Sequence, residues 1–349
     1  MSEENIPVVV IGLGDFGYQT AEALNACEGA DLVAVCDCDQ HKCEKIANDL
    51  GVKSFIDPRQ LILKTKPRAC FIATPPMVVS ELLGICLKNN TNVWKEAPLG
   101  RDLGEASEMV KQFNDAGLKL AVGTQRRFSE TYIHAKELLP QIGEVFLART
   151  HYLFNWGGDL KWRCDKPSAG GGALLELGYH LTDLLIWMLG LPEEVYALIS
   201  CEGEKSRVSN TTQPPHDTDD STVVTMRYKN NVMASMVASR VSGPVNEELA
   251  LHGIKGSITV NSDSCTLRGT DGQVLDHMEN HLTLGELFRR QAQGFVDAVR
   301  YDKPKYTSSG DENLLTHAVI NAMYLSGHTA QPESPRAQLD IHRVFPGSV

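Results

Sequence analysis

Residues 7–17 read Pro7-Val8-Val9-Val10-Ile11-Gly12-Leu13-Gly14-Asp15-Phe16-Gly17, an apolar run broken by a Gly-x-Gly-x-x-Gly turn. A short, unbroken apolar run that ends in such a turn fits a strand buried on both faces of a parallel sheet. From Asp15 a helical pattern continues to about Cys27, and a second apolar run from Asp31 to Cys36 ends at Asp37. Strand, glycine turn, helix, strand and acidic residue in that order give the glycines a meaning beyond turn formation. Gly12 permits the tight turn, Gly14 lets backbone approach a pyrophosphate, and Gly17 lets helix and strand pack closely. Leu13, Asp15 and Phe16 complete the loop, which sets a diphosphate at the helix N-terminus. Asp37 is placed to accept hydrogen bonds from the adenosine ribose hydroxyls, and its charge repels a 2′-phosphate. NAD is therefore the expected cofactor in preference to NADP.

Outward from this turn the alternation continues. A helix is predicted near 40–50, a strand near 53–56 and another at 69–73, then helix 77–89, strand 92–95, helix 102–116 and strand 119–123. Strands and helices taking turns imply a parallel sheet with crossover helices. Near residue 125 the texture changes. A helix near 129–139 is followed by strands near 144–154, a helix at 173–189 and several β segments between about 193 and 279. Among these, 220–228 and 232–241 flank the turn Lys229-Asn230-Asn231. Helices near 282–300 and 311–326 close the chain, followed by a terminal arm after Thr329, and residues 206–220 read as a mobile loop. The expectation is an α/β Rossmann domain over 1–125 and an α+β domain with a mostly antiparallel open sheet over 126–349.

Two domains suit a chain of 349 residues. A formal charge of −11 argues against a nucleic-acid or anionic-membrane surface. The first residues carry no leader pattern and no 18-residue apolar run follows, so neither export nor membrane insertion is expected. Nine scattered cysteines fit a reducing compartment, the cytoplasm. Cys36, Cys38, His41 and Cys43 match no closed zinc spacing, and no metal is assigned.

The second half carries a thin polar stripe on an otherwise apolar helix: Glu176, His180 and Asp183, at i, i+4 and i+7 after Gly170-Gly171-Gly172. Ionisable groups on so apolar a helix are usually paired or used in chemistry.

With these motifs in hand, the chain resembles the glucose-fructose oxidoreductase, inositol dehydrogenase and MocA family over essentially its whole length. The residues carrying the resemblance are Gly12-x-Gly14-x-x-Gly17, Ala73-Thr74-Pro75-Pro76, Glu96-Ala97-Pro98, Gln125-x-Arg127-Phe128 and Gly178-x-His180-x-x-Asp183. The resemblance implies cofactor contacts at Thr74, Pro75, Glu96 and Gln125, and substrate held at a cleft between the domains. It implies a dimer or tetramer built through the open sheet, and reversible hydride transfer between a nicotinamide and a secondary alcohol of a sugar, sugar nucleotide or cyclitol. A cis peptide before Pro98 is also implied. The family pattern is Glu-Lys-Pro where this chain has Glu96-Ala97-Pro98, and it has aspartate where this chain has Glu176.

Side chains alternate along a strand, so Lys95 and Ala97 face the same way if the extended backbone persists. Lys95 then either reaches the place of the missing lysine and polarises the substrate oxygen, or is an ordinary solvated lysine. His180 is the expected general base, with Glu176 orienting the ring and stabilising the imidazolium. The rival reading is a buried network that only holds the helix in register. Arg127, Asp159, Lys161, Trp162 and Arg163 are the expected substrate contacts, with Tyr179 beside the stripe and Lys95 and His180 above; either sign of substrate charge is open. Trp156 and Trp162 can equally cap the sheet. The function expected is an NAD-dependent oxidoreductase acting on a sugar, sugar derivative or cyclitol. The alternatives are a redox-neutral NAD-using glycosidase or lyase and a dinucleotide- or sugar-sensing paralogue without turnover.

Overall fold

The computed structural model describes residues 4–157, 160–202, 216–302, 306–342 and 344. It divides into two compact units, one of residues 1–100, 104–125 and 282–313, the other of 101–103, 126–281 and 314–349.

The first unit begins with β1 (Ile6–Ile11), α1 (Asp15–Asn25), β2 (Ala30–Cys36), α2 (Gln40–Leu50), β3 (Lys53–Phe55), α3 (Pro58–Thr65) and β4 (Ala69–Ile72). It continues with α4 (Val79–Lys88), β5 (Asn92–Glu96), α5 (Leu103–Asp115) and β6 (Leu120–Gly123). The six strands form one sheet in the order β3-β2-β1-β4-β5-β6, paired in parallel throughout. The order reverses direction between β1 and β4, which places the loops after these two strands at the topological switch point where such sheets bind ligands. Helix α3 goes beyond the sequence reading. Its signal was local: Asp57 caps it, accepting from Arg59 N at 2.9 Å, and Pro58 occupies the first helical turn.

The second unit holds α6 (Glu130–Leu138), β7 (Val145–Asn155), α7 (Lys166–Ala169), α8 (Ala173–Glu176), α9 (Gly178–Leu189) and β8 (Glu194–Ser200). Then come β9 (Ser221–Arg227), β10 (Met233–Ser239), β11 (Val241–Gly253), β12 (Gly256–Val260), β13 (Ser264–Gly269) and β14 (Val274–Glu279). These eight strands are ordered β14-β13-β12-β11-β7-β10-β9-β8. All neighbours are antiparallel except β10 with β7. The hairpin turn between β9 and β10 has Asn230 and Asn231 at φ 59° and 58°, a conformation asparagine tolerates.

Three sequence expectations are corrected. The helix α10 (Leu284–Arg300), expected in the second domain, belongs to the first unit. Its apolar face supplies Phe295, edge-on to Phe71 of β4 at 5.6 Å, and Phe288, 6.0 Å from Phe16. Each such buried side chain contributes about 1.5–3 kcal/mol, and sequence periodicity says only that a helix has an apolar face. The closing helix α11 (Gly310–Thr329) is followed by α12 (Pro335–Ile341), where an arm was expected. Leu339 of α12 is buried. Finally, the single stripe helix is two: α8 and α9 meet at Leu177. Of the loop expected at 206–220, residues 206–215 lie outside the described residues, as does Asp159.

Candidate functional site

In the first unit the glycine turn is built for close approach. Gly12 has φ +89°, and a Cβ there would stand 2.4 Å from Ala73 O; one on Gly17 would stand 1.9 Å from Gly12 O. Both contacts forbid a side chain. Gly14 differs: a Cβ on it would meet nothing within 4 Å. The turn therefore packs tightly behind and lies open in front. Helix α1 starts at Asp15 with no side-chain cap from Gly14, leaving the N-terminal amides to an anion.

Asp37, at the end of β2, is nearly buried. Its Oδ2 accepts from Leu13 N at 2.7 Å and its Oδ1 from Asp39 N at 2.9 Å. Burial pushes its pKa upward, but these two amides and Lys42 outweigh it, and the carboxyl lies below its ordinary range. Two expected cofactor contacts carry buried oxygens without a hydrogen-bond partner among the described residues, Thr74 Oγ1 and Gln125 Oε1. A buried polar atom without a protein partner is open to a ligand or an ordered water. The open turn, the ionised Asp37 and these two oxygens together fit a dinucleotide.

Next to them, the Ala97–Pro98 peptide is cis. Lys95 of β5 is 2% exposed. Its Nζ donates to Glu96 O at 2.9 Å and to Pro98 O, tying the loop that carries Ala97. Burial lowers the Lys95 pKa to about 7, against the pull of Glu96 and Glu105. Burial likewise raises Glu96 to about 7, opposed by Lys95 and the Ala97 amide.

In the second unit the stripe residues part company. Glu176, at the end of α8, pairs with Arg163 Nε at 2.9 Å and Arg240 at 3.6 Å. Burial still lifts its pKa to about 7 against both guanidinium groups. Asp183 receives a two-pronged salt bridge from Arg127 at 2.8 and 2.7 Å and lies 3.5 Å from Thr316 Oγ1. His180, between them in sequence, has its Nδ1 buried without a hydrogen-bond partner among the described residues. Desolvation, then the nearby Arg126 charge, holds its pKa well below the usual value, so the ring is neutral at pH 7. The expected support of the His180 ring by Glu176 is replaced by these ion pairs to Arg163 and Arg240. The break at Leu177 lets Glu176 meet the arginines, which compensate a buried carboxylate far better than an imidazole does.

Two expected substrate contacts are also corrected. Arg127 is 5% exposed and committed to Asp183, and Tyr179 is fully buried, its ring edge-on to His317 at 5.3 Å. Sequence reading overlooked Arg126, the preceding residue. Arg126 Nε donates to Glu247 Oε1 at 2.6 Å, and its guanidinium stacks on Tyr152 at 4.7 Å. Glu247 also accepts from Tyr132, and Arg126 outweighs burial to keep Glu247 ionised. Trp162 and Arg163 do come together: the Arg163 guanidinium lies 4.4 Å from the rings of both Trp156 and Trp162. Phe154 sits edge-on to Trp156 at 4.9 Å. Tyr152, Phe154 and Trp156 thus recur at every second position along and just beyond β7, the signal that could have found this wall. Aromatic faces and fixed donors of this kind suit a polyhydroxylated ring.

Among the described residues no three His, Cys, Asp or Glu side chains group as a metal set, and no helix is long and apolar enough to cross a membrane.

Comparison with known proteins agrees with both units. Residues 6–124 match the oxidoreductase family model with an NAD-binding Rossmann fold, and residues 132–259 match the GFO/IDH/MocA C-terminal domain. The chain is 24% identical over 358 aligned positions to the scyllo-inositol 2-dehydrogenase (NAD(+)) of Bacillus subtilis (strain 168), covering 99% of each chain. It is 27% identical to the myo-inositol 2-dehydrogenase of Thermotoga maritima, over 71% of this chain and 73% of that relative. In fold it is similar to levoglucosan dehydrogenase in complex with NADH and levoglucosan, with a TM-score of 0.85, 21% identity, and 95% and 99% of the two chains covered. The chain therefore carries both the NAD-binding and the C-terminal domain of the GFO/IDH/MocA oxidoreductase family, and it is an NAD-dependent oxidoreductase.

Proposed function

We propose that this oxidoreductase interconverts a secondary alcohol and the matching ketone on a sugar, sugar derivative or cyclitol, with His180 as the proton acceptor in the oxidative direction. The observation carrying this reading is the buried Nδ1 of His180, which has no hydrogen-bond partner among the described residues; burial and the Arg126 charge favour the neutral ring. NAD, when bound, supplies the acceptor for the hydride that leaves the carbinol carbon. His180 takes the hydroxyl proton as that C–H bond breaks, and returns it in the reverse direction. Arg126 disfavours the imidazolium and keeps the base available. Glu176 acts through Arg163, holding its guanidinium against the Trp156 and Trp162 rings, and this wall is the proposed place of the substrate ring.

Ala97 stands where the family motif has its lysine. Lys95 supports this site by fixing the Glu96–Pro98 backbone, since its ammonium already donates to two carbonyls. The dehydrogenases of inositols and levoglucosan among the similar proteins support a neutral or polyhydroxylated substrate and favour net redox chemistry over a redox-neutral or sensing role. The protein works in the cytoplasm as a homodimer or homotetramer. The uncovered row Leu198, Val223 and Val237, aligned across β8, β9 and β10, with Leu198 and Val223 exposed, supports assembly through the sheet.

The test is NADH formation, read by nicotinamide absorbance, from NAD and a panel of sugars, sugar phosphates and inositols. Turnover is expected, and His180→Ala is expected to lower kcat by about 10²–10⁴-fold while NADH still binds. Equal turnover by His180→Ala refutes the assignment of the base.

A further inference from the structure

The acidic residue ending β2 is ordinarily what excludes a 2′-phosphate, yet here it does not act alone. Lys42, in the first turn of α2, holds its Nζ 3.1 Å from Asp37 Oδ2. The Lys42 side chain is 39% exposed while Asp37 is 9% exposed, so the ammonium sits on the solvent side of the carboxylate. Lys42 shares an open pocket in front of the glycine turn with Leu13, Gly14, Tyr18, a second cation, Lys45, one helical turn away, and the carboxylates Asp15 and Asp49. Cys38, the residue beside Asp37, is exposed and small. A further carboxylate, Asp39, is engaged as the cap of α2, accepting from Lys42 N at 3.0 Å.

We propose that Lys42 is a specificity-determining residue for the cofactor: it neutralises Asp37 and gives the ribose 2′ position a cation, so that this domain accepts NADP(H) as well as NAD(H). The argument is electrostatic. A 2′-phosphate beside an unpaired Asp37 meets like charge, whereas beside the Asp37–Lys42 pair it meets no net charge and a mobile donor. Lys42, its side chain 39% exposed, is free of close packing and can turn from the carboxylate to the phosphate. NADH stays the tighter ligand, because Asp37 still accepts from unmodified ribose hydroxyls.

Direct binding tests this without any substrate. NADH and NADPH are titrated by fluorescence into the full chain and into Lys42→Gln at matched ionic strength. The wild type is expected to bind NADPH within a hundredfold of NADH. Lys42→Gln is expected to raise the ratio of NADPH to NADH dissociation constants at least fivefold, with NADH itself changed less than threefold. Added salt is expected to weaken NADPH more than NADH in the wild type and less so in the variant. A wild-type ratio above a hundred overturns the proposal, as does a ratio that Lys42→Gln leaves within fivefold. Failure of both nucleotides to bind would instead overturn the cofactor assignment on which it rests.

Discussion

Two glycine-led helix starts in this chain look alike in sequence and have opposite surroundings. The Gly12-x-Gly14-x-x-Gly17 turn opens α1, and Gly170-Gly171-Gly172 opens α8. Gly14 has open space where a Cβ would go, and the N-terminal amides of α1 have no side-chain cap. At the second start a Cβ would stand 2.5 Å from Arg101 O on Gly170, 2.1 Å from Tyr324 Oη on Gly171, and 1.8 Å from Asp219 O on Gly172. The anion for α8 is already inside: Asp219 accepts from Gly172 N at 2.8 Å, Leu174 N at 2.7 Å and Tyr324 Oη at 2.8 Å. Helix N-termini attract negative charge in either case. One start offers that attraction to a ligand, and the other uses it to lock the segment that carries His180.

The contrast breaks most visibly at Gly172. Gly172→Ala drives a methyl group into the Asp219 backbone and is expected to destabilise the protein by on the order of 4 kcal/mol, read as a lowered midpoint in urea. A change below about 1 kcal/mol would mean that the close packing there is not needed. Gly14→Ala sharpens the opposite side. With φ −62° and free space, it is expected to change stability by less than about 1 kcal/mol. The same methyl blocks the pyrophosphate and is expected to weaken NADH binding about tenfold or more. A stable variant with unchanged NADH affinity would remove the turn from the cofactor site.

The smallest expected effect concerns the residue that the locked segment presents. Because Arg126 helps hold the His180 pKa down, the acid limb of kcat/KM is expected below pH 6.5. Arg126→Gln removes a positive charge, so the imidazolium gains stability and the limb moves to higher pH, although burial, the larger cause of the depression, remains. A limb that stays in place would mean another group controls the profile. For stability the Glu176 sign is the reverse of the usual carboxylate. Its folded pKa is raised to about 7, so the folded state binds the extra proton and this group's contribution is lost as pH rises from about 4.5 to 7.

The sequence located the six strands of the first unit and most of the helices between them, but missed α3 and assigned α10 to the other domain. Strands alternating with helices, the glycine turn and Asp37 are set by short-range rules of backbone sterics, and the capped start of α3 at Asp57-Pro58 was equally local. The Asn-rich hairpin between β9 and β10 was legible for the same reason. The stripe was legible only as a set of ionisable residues on apolar helix, because their spacing does not say which counter-ion each will meet.

What the chain settled by itself, then, is the alternation of strands and helices in the first unit, its NAD-binding character, and a polar stripe of Glu176, His180 and Asp183 in the second half. Only the tertiary structure decided that Glu176 belongs to Arg163 and Arg240, Asp183 to Arg127 at a separation of 56 residues, and Arg126 rather than Arg127 to the neighbourhood of His180. It also moved α10 to the first unit and turned Lys95 onto its own loop. The reason is physical: local geometry follows from neighbouring side chains, whereas a buried charge is stable only beside a partner that folding brings to it.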